Sequence, residues 1–410
     1  PVMAMEAPAG YAKASPRHMQ GPVMQPPAPE FRDQYEDVDQ NPVKLVSEEP
    51  VSTFSIDVDT ASYANVRRFL EDGVLPPKDA VRIEELINYF DYTYPQPAED
   101  GPPFSTQVNL MPSPFADGRE LMQIGIQGRD IDETARPPIN LTLLMDVSGS
   151  MFSDDKLPLA KQAIKLMLEE MEPTDTIAIV VGISDPEQLE DFVSRKRETG
   201  IYLSVLGFGR GNYNDAMMQK IAQTGNGTAA YVDTLSEARK VLADDLAGNI
   251  FPIADDVKIQ VEFNPARVAE YRLIGYETRL LDREDFNNDK VDAGDIGAGT
   301  SVTAIYEITP VGSNATQIDP LRYGDTDTRK DDPSGEYAYV KLRYKAPGED
   351  TSTLLERAVT LADRVDSMDQ APQWARFATA VAGYGEMLKG GEALGTGFGW
   401  EEIRNLANGA

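Results

Sequence analysis

Three oxygen-bearing side chains alternate along one short stretch of the sequence: Asp146, Ser148 and Ser150. They follow the apolar run INLTLLM and precede the amphipathic segment DKLPLAKQAIKLM. Doubly wound sheets bind ligands beyond the carboxyl ends of their strands, and carboxylate and hydroxyl oxygens suit Mg²⁺, Mn²⁺ or Ca²⁺. We therefore predict a divalent-cation site on this loop. The alternative is a serine that caps the following helix beside a solvated aspartate.

A second acidic segment, DREDFNNDKVDAGDIG, begins with the D-x-N-x-D spacing of a calcium loop. Its oxygen-bearing residues include Asp285, Asn287, Asp289, Asp292 and Asp295. Lys290 stands where such a loop needs a glycine, and no glutamate occupies the twelfth position. A solvated acidic hairpin between two strands is the favoured interpretation, and Ca²⁺ at 285–295 is the weaker alternative.

Two other stretches look like ligand loops but fit local structure better. In DVDTAS, Asp57, Asp59 and Ser62 follow a short apolar strand without D-x-S-x-S spacing. A helix start capped by Asp59 or Thr60 explains that stretch. In GFGRGNYND, G-x-G-x-G follows a strand but lacks the last step of a dinucleotide fingerprint, and the one downstream acid at a strand end is Asp233. The glycines predict a turn with positive φ.

The charge and residue counts exclude several classes of function. The 410 residues include 38 Lys and Arg against 68 Asp and Glu, a net charge of −30, which argues against nucleic acid as a partner. The chain has one histidine, His18, and no cysteine, so histidine triads, thiol catalysis and zinc clusters are excluded. No apolar run approaches the roughly 20 residues that span a bilayer. The N-terminus shows no signal-peptide pattern, but a start at Pro1 leaves a removed membrane anchor as an expectation.

The elements around the Asp146 loop alternate between strand and helix. After INLTLLM, the strand patterns are TIAIVV, IYLSVLGFG and TAAYVD. The helix patterns between and after them are DKLPLAKQAIKLMLEEM, DPEQLEDFVSRKRETG, NDAMMQKIAQTGNG and LSEARKVLADDLAG. This alternation predicts an α/β fold with a doubly wound, Rossmann-like parallel sheet over 138–250.

The flanking regions are organised differently. Residues 1–45 predict a flexible Pro/Met/Ala-rich leader, and 46–97 predict a small α/β region. Alternating strands at 98–137 are expected to join an antiparallel β-domain at 251–347, which would make the α/β domain an insertion. Three helices are predicted at 348–410, from STLLERAVTLADRV, APQWARFATAVAGYGEMLKGG and GWEEIRNLANG.

Several of these segments resemble a known family. LLMDVSGSM is similar to the first loop of the metal-ion-dependent adhesion site of von Willebrand factor type A domains. The bacterial YfbK-like group of such proteins is resembled by FSIDVDTASYANVRRFL, VRIEELINYF, LGFGRGNYNDAMM, VKIQVEFNPARVAEYRLIGYE and DFNNDKVDAGDIGAG. The resemblance covers residues 46–408 and includes an N-terminal region, a type A domain and a family-specific C-terminal domain.

The resemblance implies a divalent cation, Mg²⁺ or else Mn²⁺ or Ca²⁺, held by Asp146, Ser148 and Ser150. In type A domains a threonine from a second loop and an aspartate from a third complete the shell. The Asp or Glu of a partner protein then takes the open position. The resemblance also implies a protein of the bacterial envelope, often lipid-anchored, without enzymatic activity.

The sequence departs from the family at one point. The second and third loops should lie between TIAIV and DPEQLEDF, but here these are joined directly in TDTIAIVVGISDPEQLE. Val180 and Val181 therefore look like a seam, and neither the threonine nor the third-loop aspartate has a matching position. Either the chain has lost this section, or the section is a mobile part of the protein that the printed sequence omits. The second account is favoured because deletion inside a parallel sheet would expose edges and uncover a buried face.

These patterns support three hypotheses about function. The first is a non-enzymatic, cation-dependent protein-binding protein of the cell envelope, active in adhesion or complex assembly. The second is a structural subunit of an envelope assembly with a vestigial metal site. The third, a metal-dependent phosphatase, needs several converging carboxylates and a nucleophile near Asp146, and the sequence shows neither.

Overall fold

The computed structural model describes residues 33–131, 136–147, 149–181, 203–209, 213–245, 248, 250–319 and 334–410. The strands are β1 (Lys44–Leu45), β2 (Val51–Ser55), β3 (Phe104–Pro112), β4 (Glu120–Gly128), β5 (Asn140–Met145), β6 (Thr176–Val181), β7 (Val205–Phe208), β8 (Ala229–Val232), β9 (Pro252–Phe263), β10 (Val268–Ile274), β11 (Gly294–Gly297), β12 (Ser301–Pro310), β13 (Glu336–Lys345) and β14 (Ser352–Thr360). The α-helices are α1 (Ala61–Glu71), α2 (Ile83–Asn88), α3 (Leu157–Glu169), α4 (Asp215–Thr224), α5 (Leu235–Arg239), α6 (Gln373–Leu388) and α7 (Trp400–Asn408).

Strands β1–β4 and β9–β14 form a sandwich of two antiparallel sheets. The first sheet has the order β1-β10-β12-β4-β3, and the second has the order β11-β9-β13-β14 with β2 also paired to β9. The inner faces of both sheets contribute to one apolar core, which includes Phe54, Ile259, Tyr306 and Val340. Because one face of each strand lies in this core, β-branched and aromatic residues recur along these strands.

Helices cover the outer face of the first sheet. Helices α2, α6 and α7 share an apolar cluster with residues from β3, β4, β10 and β12. The helix α6 presents Ala375, Ala378 and Ala382 to this cluster, and these small side chains allow a close approach to the sheet. Strand β12 is therefore buried on both faces between its first and last residues. No helix in the described part of the chain is both long and apolar enough to cross a bilayer.

The α/β region is an insertion between β4 and β9 of the sandwich. Strand β4 pairs with β12, so the segment at 104–127 belongs to the sandwich. Gly128 ends β4 and lies against Ile253 of β9, since a Cβ on Gly128 would come 2.9 Å from the Ile253 Cδ1 atom. We call the chain between these two residues the insert. It holds β5–β8 and α3–α5.

The insert contains two separate pairs of parallel strands. Strand β5 pairs with β6, and β7 pairs with β8, as the alternating pattern predicts. The described strands do not form one continuous sheet. The predicted helix at 185–200 lies outside the described residues. The fold is thus α/β with parallel strands, combined with an antiparallel β-sandwich and C-terminal helices, as the sequence indicates.

The two strand pairs differ in how well they are covered. All four residues of β8 are buried, with α1 packed on this pair through Ala61, Ala64 and Tyr231. Helix α3 packs on the same pair through a cluster that includes Val232 and the half-buried Phe208. By contrast, every residue of β5 is half-buried or exposed.

Three expectations about the flanking regions are wrong. The segment STLLERAVT is the edge strand β14, not a helix, because hydrogen bonds to β13 are available along its whole length. The leader prediction fails for 33–45, because Gln34 bridges to Asn214 and β1 pairs with β10. Residues 46–97 form no separate unit. Strand β2 joins the sandwich, α1 packs on β8, and α2 packs on α6.

Candidate functional site

The Asp146 loop begins where β5 ends. Asp146 follows Met145 directly and is exposed to solvent. A short 3-10 turn, Gly149–Met151, comes next, and α3 starts at Leu157 with a proline in its first turn. Ser148 and the side chain of Ser150 lie outside the described residues. The structure therefore places one of the three predicted ligands, at the carboxyl end of a parallel strand, and the ligand set stays a prediction.

Apolar side chains flank this loop on the surface. Phe152 is 72% exposed, and Val147 beside Asp146 is also exposed. The donors offered by the predicted site are a carboxylate and hydroxyls, which fit a hard divalent cation. Among the described residues, no group of three or more His, Cys, Asp or Glu side chains could hold a metal. Any metal on the Asp146 loop would therefore depend on the serine hydroxyls and on water or a partner for its remaining ligands.

The carboxyl end of β7 lies beside the start of α3. Gly209 has a φ of 76°, and a Cβ there would overlap the stem of the buried Lys156. This confirms the predicted turn with positive φ, which glycine adopts without strain. Tyr231 donates a hydrogen bond to the Gly209 carbonyl oxygen at 2.8 Å. Asp233 forms an ion pair with Arg67, so its carboxylate is committed to α1 rather than to a ribose.

The DVDTAS stretch forms a buried ion cluster instead of a helix cap. Thr60 occupies the cap position of α1, but its side chain makes no capping hydrogen bond. The carboxylate of Asp59 accepts hydrogen bonds from the backbone N–H of Ala229 at 2.7 Å and from Arg279 Nη2 at 2.8 Å. Asp57 accepts from Arg279 Nε at 2.9 Å. The expected cap is therefore wrong, because both carboxylates are bound to groups about 170 residues or more away in sequence.

Burial and charge raise the pKa of Asp59 to about 7. Loss of solvation is the main cause, repulsion by Asp57 adds to it, and attraction to Arg279 opposes it. Because Asp59 binds Ala229 of β8 and Arg279 after β10, this pair of hydrogen bonds ties the insert to the sandwich.

A second buried ion cluster connects α2 to α4. Arg82 Nη1 lies 2.6 Å from Asp215 Oδ2 and 3.2 Å from Glu85 Oε1. Glu85 also accepts from Gln219 Nε2 at 3.0 Å and from the backbone N–H of Ser62 at 2.7 Å. Burial raises the pKa of Glu85 well above its usual range, although Arg82 opposes this. Sequence reasoning missed this cluster. Its only signal was the presence of Arg and Glu residues within the apolar spacing of VRIEELI.

The 285–295 segment is held to the sandwich by basic side chains. Lys258 Nζ donates to the carbonyl oxygens of Asn288 at 2.7 Å and Asp285 at 3.3 Å. Lys345 Nζ donates to the Asp289 carbonyl at 2.7 Å. Arg343 Nη2 donates at 3.0 Å to the side chain of Asn287. The oxygens that a calcium loop would use are therefore bound by cationic groups of the protein. The segment is an acidic connection before β11, as favoured, but it is clamped on β9 and β13 rather than solvated.

Comparisons with known proteins place the chain among bacterial proteins of one kind. A family model described as "Uncharacterized protein YfbK, C-terminal" matches residues 248–410, and one described as "von Willebrand factor" matches residues 29–123. The Uncharacterized protein YfbK of Escherichia coli K12 is 40% identical over 448 residues, which cover 91% of this chain and 77% of the relative. The chain therefore belongs to the YfbK family of bacterial von Willebrand factor type A domain proteins.

Two solved structures show weaker similarity. The ArnB paralog VWA2 from Sulfolobus acidocaldarius is 13% identical, with a TM-score of 0.35 over 75% of this chain and 90% of that chain. A von Willebrand factor type A protein from Catenulispora acidiphila is 12% identical, with a TM-score of 0.36 over 71% of this chain and 82% of that chain.

The alignment with the Escherichia coli relative also bears on chain length. It runs over 448 residues, which is more than the 410 residues of the whole chain. Part of the relative's aligned region therefore has no counterpart in this chain. The position of that difference, at the seam of Val180 and Val181, stays a prediction.

Proposed function

We propose that this chain is a non-enzymatic protein-binding protein of the bacterial envelope, in which the Asp146 loop binds a divalent cation and, through it, a partner's carboxylate. The observation that supports this most directly is the position of Asp146, exposed and immediately after a parallel strand. A cation there would supply positive charge at the surface of a protein whose net charge is −30. It would thereby allow an acidic partner side chain to approach.

The surface around the loop fits a protein partner. Phe152 and Val147 offer apolar contact area on either side of the predicted ligands. Aromatic side chains next to a charged centre are common anchors in protein interfaces. The metal, Mg²⁺ or else Mn²⁺ or Ca²⁺, would be held by Asp146, Ser148 and Ser150. The envelope location, with a lipid anchor, is proposed from the family resemblance alone.

A second candidate function follows from the separation of the two strand pairs. Strands β5 and β6 carry the predicted loop but are poorly covered, so the loop lacks the support of neighbouring strands. On this proposal the metal site is vestigial, and the sandwich with its helices makes the contacts of a structural subunit.

The test is direct titration of the purified protein with Mn²⁺ and Mg²⁺ by calorimetry. We expect one weak, saturable site that is lost in Asp146→Ala. Asp154→Ala removes the same charge from an exposed position eight residues further along and should keep the site. Retention of Envelope proteins on the immobilised protein should then require the cation and Asp146. Cation binding that is equal in both variants, or none at all, would refute the first proposal and favour the structural subunit.

A further inference from the structure

A cavity of about 200 Å³ lies where the insert meets the sandwich. Its walls come from the end of β2 with the residues after it, the turn between α4 and β8, and the segment that leads into β11. The polar residues that line it include Asp59, Asn226, Thr228, Arg279, Asp292 and Asp295. A space of this size holds roughly six water molecules or a small organic molecule.

Two buried oxygen atoms of the lining residues have no hydrogen-bond partner within the protein. They are the Oδ2 atom of Asp295 and the Oδ1 atom of Asn226. The other Asp295 oxygen accepts from the backbone N–H of Asp256 at 2.9 Å. Buried acceptors without a donor are rare in folded proteins, and two at one cavity indicate a bound group that donates. Asn226 also has a φ of 50°, a conformation that tends to occur at ligand-binding turns.

The charge of the lining favours a cationic donor. Three carboxylates, those of Asp59, Asp292 and Asp295, face one guanidinium, that of Arg279. Two nitrogens of Arg279 already donate to Asp57 and Asp59. No lysine or histidine occurs among the described lining residues. A ligand that fills the cavity must therefore bring both hydrogen-bond donors and positive charge.

We propose that this cavity binds a small aliphatic primary amine, whose ammonium group donates to Asp295 and Asn226. An ammonium group has three donors and no acceptor, which matches unpartnered acceptors in an acidic wall. A metal ion fits less well, because the described residues offer no group of three acidic side chains placed to hold one. The bound amine would contact both the insert and the sandwich.

The ionisation of Asp295 should be linked to binding. Burial raises the pKa of Asp295 to about 8, and the acidic neighbours Asp255, Asp256 and Asp292 act in the same direction. The basic groups nearby are Lys345, which binds Asp256, and Arg279, which binds Asp59. An ammonium beside Asp295 favours its charged form, so binding near neutral pH should release a proton. The apparent affinity should therefore rise as the pH increases towards 8.

The experiment is calorimetric titration of the whole chain at pH 8 with butane-1,4-diamine and with butylamine. We expect saturable binding that is at least tenfold weaker in Asp295→Asn and in Asn226→Gly. Glycine accepts the positive φ at 226 and removes only the acceptor, so it guards against a folding defect. Asp117→Asn makes the same charge change at an exposed position outside the cavity and should leave the affinity unchanged. Asp146→Ala should also leave it unchanged, which separates this site from the proposed metal loop.

Two further probes decide between chemistries. Tetramethylammonium carries the same charge without N–H donors and should not bind, so equal binding would overturn the hydrogen-bonding basis of the proposal. Binding of Ca²⁺ with no binding of either amine would also overturn it and would assign the cavity to a metal. Titrations of the amine at pH 7 in buffers with different ionisation heats should show proton release that disappears in Asp295→Asn.

Discussion

Two regions of this molecule use similar apolar residues but bury them to different degrees. Ile259 of β9 is completely buried in the sandwich, whereas Ile179 of β6 is 50% exposed in the insert. The sandwich closes because its second sheet, its first sheet and the outer helices all lie within the chain. Parallel strands need cover on both faces, and β5–β6 lacks it. The comparison shows that the apolar strand pattern records a need for burial, while neighbouring elements decide whether it is met.

The largest effect should come from a cavity in the complete region. Ile259→Ala removes buried methyl groups between the two sheets, and such substitutions cost about 2–5 kcal/mol. We expect a loss near the middle of that range in the free energy of unfolding, measured with a chemical denaturant. A loss below about 1 kcal/mol would mean that the sandwich core relaxes and is not closely packed.

The next effect concerns the buried carboxylates between the regions. Burial raises the pKa of Glu84 to about 7, with Glu277 and Asp57 acting in the same direction. The folded state therefore holds a proton on Glu84 that the unfolded state has released between pH 5 and 7, so stability falls as the pH rises through this window. Glu84→Gln should reduce this fall and stabilise the protein at pH 8 by about 1 kcal/mol or more.

The comparison of unfolding at pH 5 and pH 8 measures that prediction. Glu349→Gln, at an exposed position, should leave the pH dependence unchanged. An unchanged slope in Glu84→Gln would show that Glu84 is ionised in the folded protein. The other buried acids with raised pKa values, such as Asp59, should keep part of the slope in the variant.

A smaller, local effect is expected in the incomplete region. Asp175 accepts hydrogen bonds from Arg136 Nη2 and the backbone N–H groups of Ile139 and Glu172, each within 2.8 Å. The Arg136 guanidinium and these N–H groups hold the pKa of Asp175 well below its usual range. Asp175→Asn should speed hydrogen exchange in β5 and β6 with little change in the overall melting temperature. Equal changes in β9 would show instead that the two regions unfold together.

The smallest effect should come from the exposed counterpart of Ile259. Ile179→Ala should change the free energy of unfolding by less than about 0.5 kcal/mol, because half of that side chain already contacts solvent. The same denaturant series used for Ile259→Ala gives the direct comparison. A cost similar to that of Ile259→Ala would mean that β6 is covered in solution.

Local patterns predicted many of the elements but not their partners. Strand β12 alternates so regularly, and the insert so clearly mixes strands with helices, that their types follow from the residues alone. Strand β14 was mistaken for a helix because Leu354, Leu355 and Val359 also fit helical spacing. Only the pairing of β14 with β13 selects the strand.

The candidate sites divide in the same way. The Asp146 loop depends on residues close in sequence, so its pattern could be found by inspection. The contacts of Asp59 with Ala229 and Arg279 join residues about 170 and 220 positions apart. Neither residue spacing nor composition contains that information, because it arises from how the insert docks on the sandwich.

The contact between Gly128 and Ile253 has a mechanical consequence. The two ends of the insert meet at one point on the sandwich, so a pulling force applied to the ends of the chain is carried by the sandwich strands. The insert lies outside this load path until β4 or β9 detaches. A protein tethered at one end would therefore keep its Asp146 loop unstrained under tension, and the loop would be stretched only after the sandwich itself had yielded.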